Sequence, residues 1–108
     1  MRKLNIDELD NVNLSGYKVG ELNGFTYKQI KKALGKPTFK PSNSSDGKVQ
    51  YEWVVLYTDK VFRVYDWKTY DKKYTKNSLT TWSIGGTSSC DWLLRSLVNK
   101  IQANECRL

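Results

Sequence analysis

Tyr65, Trp67 and Trp82 are flat aromatic rings set among Arg63, Lys68 and Lys72, and Gly85, Gly86, Thr87 and Ser88 follow the last of them. Together these residue types suit a flat, anionic ligand. Aromatic and guanidinium faces stack on nucleobases, Lys and Arg neutralise phosphate, and a Gly-Gly turn opening a helix presents free N–H groups to an anion. A nucleotide or nucleic acid fits this set best, with Gly85 to Ser88 as a backbone nest. The same Gly-Gly equally suits a plain strand-to-helix turn, and Trp82 with Ile84 equally suits a core. The full phosphate-loop pattern, glycines followed by Lys-Ser/Thr, is missing.

Residues able to catalyse are scarce. Asp66 stands between Arg63 and Lys68, whose charges keep a carboxylate ionised, so hydrogen bonding to a base edge suits it better than general-base work. Glu52, Asp71 and Asp91 are the other carboxylates near the aromatic region. The chain has no histidine to activate its serines, and none to serve as a metal ligand. The expectation is a binding protein, not an enzyme, with no metal and no cofactor.

Eighteen basic residues against eleven acidic give a formal charge of +7, enough to draw anionic partners. From Leu22 to Ser45 no acid occurs while Lys28, Lys31, Lys32, Lys36 and Lys40 accumulate; a second cluster runs from Lys60 through Arg63, Lys68, Lys72 and Lys73 to Lys76. The two are expected to converge in the fold, although charge runs commonly do no more than face water. With 39% hydrophobic and 27% charged residues the composition is that of an ordinary globular protein, and 108 residues make one domain. No apolar run is long enough to cross a bilayer. Basic Met1-Arg2-Lys3 lacks the apolar stretch of a secretory signal, and Cys90 and Cys106 are too few for a disulfide framework, so a cytoplasmic protein with reduced thiols is expected.

Several elements must position these groups. Residues 1–24 are interrupted by glycines and read as a short strand or irregular N-terminal arm. Thr26 and Gln29 form a capping box with Phe25 and Ile30 as its staple, and Gly35 and Pro37 stop the helix they start. After a polar loop at 41–47, residues 49–57 alternate as a strand. Thr58-Asp59-Lys60 turns the chain, and 61–68 returns with Phe62 and Val64 on one face and Arg63, Tyr65 and Trp67 on the other. Residues 69–78 read as a loop and 79–84 as a third strand. Ser88 to Asp91 then start a helix whose apolar face carries Cys90, Leu93, Leu94, Leu97, Val98 and Ile101. Trp92 points the other way, to a subunit contact, a ligand wall or the N-terminal arm. The expected fold is α+β: an antiparallel sheet of three or more strands packed with an N-terminal-half helix and a C-terminal helix.

The series Phe-Thr-Tyr-Lys-Gln-Ile-Lys-Lys-Ala-Leu-Gly-Lys-Pro-Thr (25–38), Asp-Gly-Lys-Val-Gln-Tyr-Glu-Trp-Val-Val (46–55), Val-Tyr-Asp-Trp-Lys (64–68) and Trp-Ser-Ile-Gly-Gly (82–86) resembles a family of small phage and viral proteins. That family is similar to anti-CBASS sponge proteins, which hold cyclic dinucleotide immune signals without cutting them. The resemblance implies a homo-oligomer, a tetramer, acting in the host cytoplasm on a signal such as 3′3′-cGAMP. Relatives often carry a histidine before Ile-Gly-Gly; here that position is Ser83. Two further readings stand beside this one. The first is a DNA- or RNA-binding accessory protein; the second is a protein-directed inhibitor of a host defence enzyme, acting through the surface around Trp92.

Overall fold

Alternating β-branched and aromatic residues build an antiparallel sheet, and two amphipathic helices cover one of its faces. The computed structural model describes residues 1–39 apart from Asn11, Asn13 and Ser15, then 49–67 and 80–105. In chain order the elements are β1 (Arg2–Leu4), a 3₁₀ turn (Ile6–Glu8), β2 (Tyr17–Phe25), α1 (Tyr27–Leu34), β3 (Val49–Tyr57), β4 (Lys60–Trp67), β5 (Thr80–Gly86) and α2 (Asp91–Glu105). The five strands lie in the order β1-β3-β4-β5-β2, with every neighbouring pair antiparallel. This is the α+β arrangement expected from the sequence, with more strands. The expected polar loops at 41–47 and 69–78 lie outside the described residues.

The N-terminal arm is the main departure from the expected elements. Residues 2–4 pair with β3 and residues 17–25 with β5, so this stretch supplies both edges of the sheet. β2 follows the sheet only by two irregularities, between Lys18 and Gly20 and between Leu22 and Phe25. Such bulges break the period-two pattern by which a strand is recognised.

Helix α1 begins as its capping box predicts. Gln29 N donates to Thr26 Oγ1 at 3.2 Å, and Thr26 N donates back to Gln29 Oε1 at 2.8 Å. Gly35, at φ +87°, ends the helix in a region that side chains disfavour. Two core tryptophans then hold both ends of this helix: Trp82 Nε1 donates to Phe25 O at 2.8 Å and Trp53 Nε1 to Gly35 O at 2.9 Å. Their rings meet edge to face, with centroids 5.5 Å apart. Ile30, Leu34, Tyr51, Val55, Phe62, Val64, Ile84, Leu93, Leu97 and Ile101 complete this core. α2 buries Cys90, Leu93, Leu97 and Ile101, the spacing read from the sequence.

Candidate functional site

The sheet face turned away from α1 and α2, the far face, carries the side chains that alternate with the core. Because Phe62 and Val64 are buried among the core residues, Arg63 and Tyr65 project to the far side. The hairpin brings Glu52 opposite Tyr65 and Val54 opposite Arg63; on the other flank Ser83 lies opposite Tyr65 and Gly85 opposite Arg63. Four strands thus place Glu52, Arg63, Tyr65, Ser83, Gly85, Lys18 and Glu21 on one surface.

At its centre the Arg63 guanidinium lies 4.9 Å from the centroid of the Tyr65 ring. A Cβ at Gly85 would stand 3.3 Å from Tyr65 Cε1 and 3.8 Å from Arg63 Cβ, so the absence of a side chain there lets the tyrosine ring settle on the strand. Arg63 Nη2 also donates to Glu52 Oε1 at 3.0 Å. The Glu52 side chain keeps 9% of its surface and that of Arg63 keeps 31%, so the pair is held at the boundary of the protein. Glu52 is fixed through its backbone as well, exchanging hydrogen bonds of 2.9 and 3.0 Å with Phe39. Arg63 Nε is buried without a hydrogen-bond partner among the described residues. Flanking this centre, Lys18 pairs with Glu21. Arg63 and Lys18 on this face are thus each paired with a carboxylate.

The fold divides the residues expected to form one site. Arg63 and Tyr65 stand together, with Ser83 and Gly85 beside them. Trp82, expected as a stacking platform, is fully buried against Trp53, because it alternates with Ser83 onto the helix-covered side. Asp66, expected to touch a base edge beside Arg63, is also fully buried and faces the core; its Oδ1 accepts from Tyr51 N at 2.8 Å. That bond satisfies a backbone donor beside the irregularity between Val49 and Glu52.

The expected anion nest does not form from Gly85 and Gly86. Gly85 is paired on both flanks, with Arg63 and with Lys18, and Gly86 is paired with Tyr17, so both belong to the sheet. A Cβ at Gly86 would stand 2.8 Å from Phe62 Cδ1, which gives that glycine a packing role. Thr87 and Ser88 form the bend that follows, and α2 starts from Cys90, whose carbonyl accepts from Leu94 N at 2.8 Å. Of the two basic clusters, Lys28, Lys31 and Lys32 lie on the exposed side of α1, on the opposite side of the sheet from Arg63. Lys68 and Lys72 lie outside the described residues, as does the side chain of Trp67.

Trp92 is 68% exposed, and the Arg95 guanidinium lies 5.3 Å from its ring centroid. Asp91, Trp92, Leu94 and Arg95 line a groove of about 370 Å³ there. Glu52 was legible only as one carboxylate near the aromatic region. The signal that finds it is the two-residue turn Thr58-Asp59, which pairs Tyr57 with Lys60 and so sets Glu52 opposite Tyr65.

Among the described residues no three His, Cys, Asp or Glu side chains gather as a metal site, and no helix is long and apolar enough to cross a membrane. No family model, curated protein or solved structure matches the chain.

Proposed function

We propose that this chain is a non-enzymatic binding protein that sequesters a cyclic dinucleotide on the far face of its sheet, and so inhibits CBASS defence in the host cytoplasm as a phage-encoded sponge. The observation that carries the reading is the Arg63 guanidinium lying over the Tyr65 ring, which itself rests on Gly85. This gives a planar cation and a planar ring at a partly open surface, the pair that stacks a base and meets a phosphate. The family resemblance supports the same reading. Its histidine position, Ser83 here, is the cross-strand neighbour of Tyr65. A homo-oligomer with Trp92 in its contacts would present the site more than once to a ligand that has two bases and two phosphates.

Calorimetric titration of the purified protein with a panel of cyclic dinucleotides tests this, followed by mass analysis of the ligand released on heating. Saturable binding with the ligand recovered intact is the expected result. Absence of heat with every member, or recovery of a cleaved product, defeats the proposal.

A second reading draws on α1. Its lysines 28, 31 and 32 are exposed, which suits the backbone of DNA or RNA. That reading requires binding to long nucleic acid that weakens steeply as salt is raised.

A further inference from the structure

Resting on the nucleotide reading above, we infer that residues 5–16 are a strap drawn across the far face beside Arg63, which lifts to admit the ligand and covers the site in its absence. Register places its two ends. Leu4 lies opposite Val54, Val54 opposite Arg63, Arg63 opposite Gly85 and Gly85 opposite Lys18, so the strap leaves one rim and meets the other at the ends of one cross-strand row centred on Arg63. Arg2 and Leu4 alternate with Lys3, so both stand on the side of Val54, the far side. Arg2 Nη1 meets Glu8 Oε2 at 2.6 Å, which sets the 3₁₀ turn on that same side.

The burial of the far face agrees. Val54 is fully buried and Leu4 nearly so, yet neither belongs to the core under the helices. Leu9, Val12 and Leu14 of the strap are half-buried and do not pack on that core either, so the far face is where both sets find cover. Arg63 Nε, buried on this face, needs such a cover too.

The strap has the means to lift. Extended, residues 5–16 would reach about 40 Å, while the row they bridge is roughly 19 Å across, so they can rise with β1 and β2 still paired. Among the described residues the strap's backbone hydrogen bonds are local, from Glu8 N to Asn5 O, Leu9 N to Ile6 O and Val12 N to Leu9 O, and none reaches β3, β4 or β5. Its described side-chain links to β1, Arg2 to Glu8 and Lys3 Nζ to Asn5 Oδ1, are both exposed. Few buried contacts and exposed holds mark a segment that opens without the rest of the fold.

The test is native-state proteolysis of the full chain with chymotrypsin, read by mass at the bonds after Leu9 and Leu14, beside calorimetric titration with 3′3′-cGAMP. Without ligand, cleavage at those bonds is expected at a rate that low urea leaves unchanged, the sign of local opening. Saturating 3′3′-cGAMP is expected to speed it severalfold, because the nucleotide takes the place of the strap. Leu9→Ala, which weakens the strap's hold, is expected to tighten nucleotide binding by roughly fivefold. Cleavage that rises with urea as global unfolding does, cleavage unchanged or slowed by bound nucleotide, or a folded Leu9→Ala that binds no tighter would each overturn the inference while leaving nucleotide binding in place. Failure of both the wild type and Leu9→Ala to bind any cyclic dinucleotide would overturn the nucleotide reading, and the inference with it.

Discussion

The sulfur of Cys90 occupies the space directly above Gly20: a Cβ added to the glycine would stand 2.4 Å from Sγ. The thiol also lies 3.6 Å from Val19 O, so the first turn of α2 rests on the irregular part of β2. Gly20→Ala should therefore destabilise the fold by about 2 kcal/mol, as overpacking does, read from the urea midpoint. Adding Cys90→Ala should restore most of the loss. A double variant no better than Gly20→Ala alone would show that the clash is not the cause.

Tyr65 and Trp82 make opposite predictions, although both were candidates for stacking. Tyr65→Leu keeps apolar cover over Gly85 but removes the ring, so nucleotide affinity should fall by about 1–3 kcal/mol while thermal stability changes little. Trp82→Leu removes a fully buried indole and its bond to Phe25 O, and should cost about 3 kcal/mol or more of stability. Paired melting and titration curves separate the two roles.

Asp66→Ala should weaken the fold and leave ligand affinity intact. The substitution strips the buried Tyr51 N–H of its acceptor, a loss of about 1–3 kcal/mol for an orphaned donor. Because Asp66 faces the core side, folded protein should titrate with the wild-type dissociation constant. A weaker constant would return Asp66 to the binding surface.

Stability should fall on the alkaline side. Burial pushes the Cys90 thiol above its ordinary 9.0, and burial, with the Asp66 charge, pushes the Tyr51 phenol above 10.0. Between each ordinary value and its raised one the native chain holds a proton that the unfolded chain has released, so raising pH favours unfolding. Urea midpoints should hold steady through neutrality, then decline as pH passes 9 and again as it passes 10. Cys90→Ala with Tyr51→Phe should flatten that decline.

Local signals were enough for α1, α2 and the β3–β4 hairpin, because a capping box, a four-residue apolar spacing and strict alternation each act over a few neighbours. They failed for β1 and β2, whose partners lie far along the chain and whose outline is blurred by glycines and bulges. The site was legible in part for a related reason. Alternation separates Arg63 and Tyr65 from Phe62 and Val64, but it does not say which set the helices cover. The same uncertainty hid Trp82 and Asp66 in the core, and only cross-strand register could bring Glu52 to Tyr65. Gly85-Gly86 misled because glycine marks a turn and a close approach alike; here Tyr65 and Phe62 supply the close approach.

The placement of β1 and β2 on opposite rims sets an order of events during synthesis. The first of them needs residues 54–56 as a partner and the second needs residues 80–86, so both leave the ribosome well before anything exists for them to pair with. Both strands thus wait for partners made much later, and closing such distant pairings makes folding slow and leaves intermediates open to sticking.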